Sequence, residues 1–432
     1  MTRKNNQKAR IISVDMGYGH QRPAHSLRSL ANKKEIISAN NYKGIPKKDK
    51  EIWKSFNNFY EFISRFKRVP LIGGLFFYFF DQYQKIVEFY PRRNLSNPNF
   101  VLKRTYDFFE KGWGSDLIGL LEKNPLPLIC TFYIPAFMAE YFNYPGDIYC
   151  VVCDADISRS WAPLDPTGSR IKYFAPTKRV VERLKLYGVQ PENIIFTGYP
   201  LPLENIGEKG LEILKEDLAR RLLVLDPNRK YFAKYQSLIK EYLKKIPKKI
   251  ARPLTLMFAV GGAGAQKEIG IQIVKSLKEK IKSGEIKVIL VAGIKKDVFD
   301  YFSKNVKLLK LKKDLGKGID IIFDKKIENY FKKFNLALRK TDILWTKPSE
   351  LSFYSGLGLP IIIAPPIGSQ ERFNQEWLLR SGFAMEQQSP SYTHEWLFDL
   401  LEQGWLAEAA MEGFIETEKR GVSTIKQIIF QD

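Results

Sequence analysis

The feature that most constrains this chain is a strand–glycine loop–helix pattern that occurs once in each half of the sequence. The first copy has the apolar run IISV, the loop DMGYGH (15–20) and a stretch with helical spacing from His20 onward. The second has LTLMFAV, the loop GGAGAQ (261–266) and the helix-like EIGIQIVKSLKEK. Glycines at such a turn let the backbone bend tightly and approach a bound molecule closely. Each loop taken alone is equally compatible with a plain structural turn.

The remaining sequence predicts a parallel α/β architecture. In the first half, the strand-like PLPLICTFY, DIYCVVCD and NIIFTGYPL alternate with the helix-like PAFMAEYFN and KRVVERLKLYG, which ends at Gly188. In the second half, KVILVAG, GIDIIFD, TDILWTK and LPIIIAPP continue the pattern, and a charged helical stretch at 207–250 joins the halves. Such alternation is typical of parallel sheets. We expect two Rossmann-like halves with a ligand-binding cleft between them.

The net charge of +22 is the strongest signal in the composition. The excess is concentrated at Lys43–Arg68, Lys230–Arg252 and Lys304–Lys317. Nucleic acid, anionic lipid and phosphorylated substrates are the partners that such charge attracts. A merely solvated, lysine-rich surface is the alternative, and composition leaves the choice open.

An aromatic and basic segment, Trp53–Tyr90, follows the first glycine pattern. Its apolar residues recur with a broken helical spacing, which predicts either a buried pair of helices or an amphipathic element lying on a membrane. In the second case Arg65, Lys67 and Arg68 face the lipid headgroups. We expect this segment to contribute to binding of anionic lipid.

The cysteine content argues against a zinc site, and the N-terminal sequence argues against a secretory signal. Cys130, Cys150 and Cys153 are predicted to be buried, reduced thiols, since no second pair completes a zinc site. No metal and no cofactor are therefore expected. The chain has no uninterrupted apolar run of about 18 residues and no secretory signal, which predicts a cytoplasmic protein without a transmembrane helix.

Polar residues follow two strands of the second half, TDILWT and LPIIIAPP. Because the carboxyl ends of neighbouring parallel strands meet at one edge of a sheet, we expect these residues to converge where α/β folds bind ligands. The first strand ends with Thr346 and is followed by Lys347, Pro348, Ser349 and Glu350, and the second is followed by Gly368, Ser369, Gln370, Glu371 and Asn374.

Taken together and in order, these motifs resemble the GT-B glycosyltransferases. The similarity is to the superfamily that contains the peptidoglycan lipid-intermediate N-acetylglucosaminyltransferase and the mono- and diglycosyl-diacylglycerol synthases, and it covers residues 9–35, 125–205 and 253–385. It implies an α/β fold of two Rossmann-like domains that face each other across a cleft. The implied divisions are an acceptor-side domain at 1–205, a helical connector at 206–250, a nucleotide-sugar domain at 251–409 and a C-terminal helix at 410–432 that packs back on the first domain.

The resemblance implies transfer of a hexose from a nucleoside-diphosphate sugar, with a UDP-sugar favoured, to a hydroxyl acceptor. The acceptor is expected to be a lipid or lipid-linked glycan at an anionic membrane surface, on the inner face of the plasma membrane. His20 is then the general base. Asp154 or Asp156 orients His20 or binds the acceptor, with a strand-end turn as the alternative role for each.

The resemblance also implies a set of binding residues. Gly17 and Gly19 let the backbone turn beneath the acceptor, while Gly261, Gly262 and Gly264 take the diphosphate at a helix N-terminus without a metal. Gln370 and Glu371 hold donor hydroxyls, and Asn374 braces the loop or contacts the nucleotide. The remaining predicted donor contacts are Lys347, Ser349, Glu350, Gly368 and Ser369.

Three positions depart from the family pattern. Phe353 stands where the family places a ribose-binding glutamate, for which Glu350 is the candidate substitute. Pro202 replaces a phosphate-neutralising arginine, whose charge Lys347 supplies instead. Tyr18 narrows the space for an acceptor. A GT-B sugar-nucleotide epimerase and a non-catalytic, basic lipid- or nucleic-acid-binding relative remain alternatives, although no nucleic-acid-binding motif is present.

Overall fold

The computed structural model describes residues 8–55, 86–208, 210–248, 250–259, 261, 264, 266–367 and 369–430. Backbone packing divides the chain into two compact units. The first unit comprises Met1–Pro200, Ile367–Asn374 and Arg420–Asp432, and the second comprises Leu201–Pro366 and Gln375–Lys419. The functional domains assigned from the sequence stay a prediction. Most of the aromatic segment Trp53–Tyr90, including Arg65, Lys67 and Arg68, lies outside the described residues, so its predicted role also stays open.

Each unit contains a parallel sheet of six strands. The first sheet has the order β2-β1-β3-β4-β5-β6, and its strands are β1 (Ala9–Ser13), β2 (Ala31–Ser38), β3 (Leu128–Cys130), β4 (Ile148–Val151), β5 (Lys172–Ala175) and β6 (Ile194–Phe196). The second has the order β12-β11-β10-β7-β8-β9, and its strands are β7 (Leu254–Ala259), β8 (Ile286–Gly293), β9 (Ile319–Phe323), β10 (Ile343–Thr346), β11 (Ile361–Ile363) and β12 (Ala384–Glu386).

Helices connect the parallel strands. Up to the end of the connector they are α1 (Tyr18–Ser26), α2 (Phe100–Glu110), α3 (Ser115–Glu122), α4 (Tyr133–Tyr141), α5 (Lys178–Leu186), α6 (Leu203–Ile206), α7 (Glu212–Leu225) and α8 (Lys230–Tyr242). Those that follow are α9 (Lys267–Ser276), α10 (Lys278–Lys282), α11 (Lys296–Leu308), α12 (Ile327–Leu338), α13 (Ser369–Arg380), α14 (Thr393–Gln403), α15 (Trp405–Glu416) and α16 (Gly421–Phe430). Short 3₁₀ segments lie between them, the longest being Glu350–Leu357.

Local sequence explains where several elements begin and end. The Thr177 hydroxyl accepts a hydrogen bond from the Val180 N–H at 3.1 Å and caps α5, and Gly188 follows this helix with a positive φ of 89°. Residues of β4 and β7 are buried throughout, as expected for strands covered on both faces. Strand β2 was not predicted, because its central residues are polar and exposed at the edge of the first sheet.

The C-terminal stretch differs in detail from the prediction of a single helix at 410–432. It contains the end of α15 and all of α16, with a break after Glu416. In the first unit, α16 begins in close contact with the backbone that follows β6. A methyl group added at Gly421 would lie 2.5 Å from the Tyr199 carbonyl oxygen, so only glycine permits this approach.

A buried ion pair stabilises the first unit beside its sheet. Arg183 of α5 donates to both carboxylate oxygens of Asp156, from Nε at 2.8 Å and from Nη2 at 2.7 Å. The Arg183 side chain is fully buried and that of Asp156 nearly so. A third donor, Arg183 Nη1, bonds the Val87 carbonyl at 2.9 Å. Asp156 is thereby engaged in packing, which leaves Asp154 as the aspartate of this loop to consider at the site.

We expect Asp156→Ala to lower the free energy of unfolding by about 3–5 kcal/mol, because it leaves the buried Arg183 guanidinium without its counter-charge. The matched control is Asp107→Ala, which removes the exposed Arg104–Asp107 pair and should cost less than about 1 kcal/mol. Urea unfolding of the three proteins measures both values. Equal, small losses of unfolding free energy in the two variants would show that the buried pair stabilises the protein no more than the exposed pair does.

Candidate functional site

The loop at 15–20 turns at a single glycine. Gly17 has a φ of 110° and precedes the first residue of α1, so this position favours glycine. Gly19 lies inside α1, and the helix begins at Tyr18 rather than at His20, so the turn does not depend on Gly19 as predicted. The Asp15 carboxylate accepts hydrogen bonds from Gln21 Nε2 at 2.9 Å and Asn41 Nδ2 at 3.3 Å, which hold the loop.

His20 lies where β1 and β3 end. Its Nδ1 is 2.9 Å from the Thr131 carbonyl oxygen, one residue beyond β3. The His20 carbonyl oxygen accepts from the Thr131 hydroxyl at 2.8 Å and from the Ser13 hydroxyl at 3.0 Å. Thr131 therefore holds both the ring and the backbone of His20. The imidazole is half-buried, and its ring centroid lies 4.6 Å from that of Phe132 and 6.3 Å from that of Trp161.

These contacts determine which ring nitrogen of neutral His20 carries the proton. A carbonyl oxygen only accepts hydrogen bonds, so the Nδ1 that faces Thr131 must carry the proton. The lone pair of the neutral ring is then on Nε2. A histidine in this tautomer is able to take a proton at Nε2, which is the property that a general base requires.

Tyr18 does not lie on the exposed side of the loop. Its side chain is buried, and the Arg22 guanidinium lies 5.4 Å from its ring centroid. Tyr18 thus belongs to the packing of α1, and the expectation that it narrows the space for an acceptor is not met by this arrangement.

Asp154 follows β4 and contacts Asn374, which is also a predicted site residue. Asp154 Oδ1 accepts from Asn374 Nδ2 at 3.2 Å, and Asn374 Oδ1 accepts from the Ala155 N–H at 2.8 Å. Asn374 is 1% exposed. It therefore braces the backbone after β4. The two roles predicted for it, bracing the donor loop or contacting the nucleotide, stay predictions.

The start of α13 carries the other predicted residues of this segment. Glu371 Oε2 accepts from the Ile367 N–H at 2.6 Å and so holds the turn that leads into the helix. Gln370 lies one residue earlier and is half-buried. Gly368 and the side chain of Ser369 lie outside the described residues.

In the second unit, the glycine loop and Lys347 come together. A methyl group added at Gly261 would lie 2.9 Å from Cε and 3.9 Å from Nζ of Lys347, so the lysine side chain runs directly over this glycine. Gly261 has a φ of 70°, and Gly264, with a φ of 67°, lies so close to Val298 that an added methyl group would be 2.7 Å from its Cγ2. Gly262 lies outside the described residues. The loop therefore needs glycine both for its backbone angles and for close packing.

The segment after Lys347 carries buried residues, Glu350 and Phe353 among them. Glu350 is buried at the start of the 3₁₀ segment, directly after Ser349. Phe353 is 1% exposed and packs against Trp377, with ring centroids 5.1 Å apart. Phe353 is thus a core residue of this unit. Pro202 is also buried and immediately precedes α6.

Three residues that the structure places at these sites were not predicted from the sequence. They are Thr131 and Phe132, which contact His20, and Gln266, whose Nε2 donates to the Pro365 carbonyl at 2.8 Å beside the glycine loop. Thr131 and Phe132 lie at the end of the predicted strand PLPLICTFY and directly after the observed β3, as the DMGYGH loop follows β1. Knowledge that β1 and β3 are neighbours would have been enough to find them.

The described residues contain no group of three or more His, Cys, Asp or Glu side chains arranged to hold a metal ion. Cys130 and Cys150 lie side by side on β3 and β4, and all three thiols are buried and reduced. Burial raises the pKa of the Cys130 and Cys150 thiols well above the ordinary value. Both thiols are protonated at neutral pH and are poor metal ligands in that state.

The fold defined by these two parallel sheets is the GT-B fold, which confirms the fold class expected from the resemblance. The chain is similar to the crystal structure of MurG from Acinetobacter baumannii, with 11% identity, 98% of this chain and 100% of that chain covered, and a TM-score of 0.50. A likeness at this identity establishes the fold and leaves the reaction open.

Two other solved structures show weaker similarity. They are a glycosyltransferase from Rickettsia africae (14% identity, 99% and 100% covered, TM-score 0.44) and a UDP-GlcNAc 2-epimerase from Neisseria meningitidis bound to UDP-GlcNAc (13%, 78% and 84%, TM-score 0.43). A family described as a domain of unknown function (DUF6938) matches residues 240–315, which include the second glycine loop. Comparison with curated proteins gives no match.

We expect neutral His20 to carry its proton on Nδ1, because that nitrogen faces the Thr131 carbonyl. Long-range ¹H–¹⁵N spectra of the side chain at a pH of about 8, well above the ordinary histidine pKa of about 6.5, distinguish the two tautomers. The chain has three histidines, so the spectrum of His20→Gln assigns the signals of residue 20 by their loss. A proton on Nε2 would contradict the arrangement.

Proposed function

We propose that this protein is a glycosyltransferase that moves a hexose from a nucleoside-diphosphate sugar, a UDP-sugar by preference, to an acceptor hydroxyl. The observation that carries the proposal is the contact between Lys347 and the glycine loop. It joins a cation to a strand–glycine loop–helix turn, within a protein that has the GT-B fold. Such a turn is suited to bind a diphosphate, the group that leaves in this reaction.

The donor site in this proposal is built around the ends of β7 and β10. The N-terminus of the ten-residue α9 binds the diphosphate oxygens beside Gly261, and the Lys347 ammonium neutralises their charge. The Gly264 N–H donates to the Gly261 carbonyl at 3.3 Å and so closes the turn that shapes this site. Ser349 and Glu350 are proposed to contact the nucleoside. Gln370 and Glu371 stay predicted contacts of the donor sugar.

His20 is the proposed general base. The acceptor oxygen attacks the anomeric carbon of the donor while the bond from that carbon to the diphosphate oxygen breaks. The diphosphate leaves with the bonding electron pair, and the acceptor proton passes to Nε2 of His20. The Thr131 contacts hold the ring in the tautomer that this step uses. Asp154 is proposed to bind the acceptor.

The proposed acceptor is a lipid or lipid-linked glycan, reached from the cytoplasm at the anionic inner face of the plasma membrane. This part is supported by the net charge of +22 and by the aromatic, basic composition of Trp53–Tyr90. Among the helices that the structure describes, none has the length and apolar character needed to cross a bilayer.

We expect Lys347→Met to weaken binding of the sugar nucleotide about 10- to 100-fold, since a charge-assisted contact to the diphosphate is lost. A thermal-shift screen with UDP-, GDP-, ADP- and dTDP-sugars identifies the donor first, because a ligand of the folded state raises its stability. The control is Lys332→Met, which removes an exposed charge of α12 and should leave binding unchanged. Equal weakening in both variants would mean that only net charge matters.

We expect His20→Ala to lower the rate of transfer about 100- to 10,000-fold while the affinity for the donor changes little. His25→Ala, on the same helix, is the control and should retain the parent rate. Product analysis separates the alternatives, because an epimerase converts its sugar nucleotide without an acceptor. Transfer by His20→Ala at the parent rate would remove His20 from the mechanism.

A further inference from the structure

A group of three aromatic side chains lies beside His20, and the mechanism above does not use it. Phe132 immediately precedes α4, Tyr133 is the first residue of that helix, and Trp161 ends the short 3₁₀ segment Arg159–Trp161 that follows β4. The ring centroids of Phe132 and Tyr133 are 4.4 Å apart, and Tyr133 is 5.2 Å from Trp161. With Phe132 at 4.6 Å from the imidazole, the rings form a continuous aromatic wall (Phe132, Tyr133, Trp161) that reaches the proposed base.

The aromatic wall is buried at one end, at Trp161, and partly exposed at the other, at Phe132 and Tyr133. Trp161 is buried, and the Tyr173 hydroxyl donates to its carbonyl oxygen at 2.9 Å. Phe132 and Tyr133 pack against the core of the first unit but remain half-exposed. Aromatic rings have few side-chain torsions, so a wall of this kind offers contact area at a small entropic cost. Partly exposed rings at the carboxyl edge of a parallel sheet are suited to bind a ligand.

The position of the wall restricts which ligand it suits. The acceptor hydroxyl must lie within hydrogen-bond distance of His20 Nε2, so the atoms that carry this hydroxyl lie next to Phe132. A pyranose ring is similar in size to a phenyl ring, and it presents C–H groups on its faces and hydroxyls around its edge. Its C–H face is attracted to the negative face of an aromatic ring. A glycerol hydroxyl offers no ring-sized surface at this place.

We propose that Phe132 and Tyr133 form a subsite for the sugar ring of the acceptor, which is therefore a glycoside with a terminal pyranose. The proposal rests on the proposed function, in which His20 accepts the proton of the same acceptor. It selects the glycan-bearing acceptors among the lipids and lipid-linked glycans considered above. The sugar ring stacks on Phe132 and presents one hydroxyl to Nε2 of His20.

Binding without turnover tests the subsite. Saturation-transfer NMR of the full chain with methyl β-D-glucopyranoside and methyl N-acetyl-β-D-glucosaminide reports which sugar protons touch the protein, and dioctanoylglycerol serves as the acyl probe. We expect saturation on the ring C–H protons of at least one glycoside. Phe132→Leu should raise its dissociation constant about 3- to 10-fold, since one aromatic stacking contact is lost.

The matched control is Phe142→Leu, which makes the same change at the other end of α4, on a residue that also packs partly buried against this core. It should leave glycoside binding unchanged. The subsite is wrong if neither glycoside binds, if only the acyl probe binds, or if both variants weaken binding equally. Glycoside binding that depends on Phe132 but occurs without sugar transfer would support the subsite and reject the transferase, so the two failures are distinguishable.

Discussion

The donor site that we propose depends on the parallel pairing of β7 with β10. The strands are in register from Leu256 opposite Ile343 to Ala259 opposite Thr346, and the Thr346 hydroxyl donates to the Ala259 carbonyl at 3.2 Å. Because parallel strands end at the same edge of the sheet, the residues that follow them emerge side by side. At this shared edge Lys347 lies over Gly261. The order of the strands in the sheet therefore explains why the glycine loop and the cation proposed to bind the diphosphate lie side by side.

The same principle operates in the first unit, where β1, β3 and β4 are neighbours. The Thr131 carbonyl beyond β3 accepts from His20 Nδ1 at 2.9 Å and also lies 3.4 Å from the Cys153 thiol beyond β4. Three strand ends thus converge on one backbone oxygen. Since this acceptor belongs to the main chain of a rigid sheet, the tautomer of His20 is set by the fold rather than by a replaceable side chain.

Several charged residues that the proposals do not use support the backbone. Arg221 of α7 is buried and donates to the carbonyl of Thr341, before β10, and to that of Leu357, the last residue of the 3₁₀ segment that begins at Glu350. Arg252 makes two hydrogen bonds to the buried Asp342, at 2.5 and 2.6 Å. A net charge of +22 does not distinguish a buried cation such as Arg221 from exposed ones, so composition overstates the charge available to a partner.

The sequence by itself determined the fold class, because strand–glycine loop–helix units are local patterns that need no knowledge of distant partners. It also located the candidate residues His20 and Lys347, each next to a strand end. It did not predict β2, whose polar centre lies at a sheet edge, nor that Phe353 faces the core while Asp156 pairs with Arg183. Nor did it reveal Thr131, which is 111 residues from His20. Contacts of that kind depend on which strands lie side by side, and only the tertiary structure decides this, since strand order joins residues whose spacing in the sequence carries no signal.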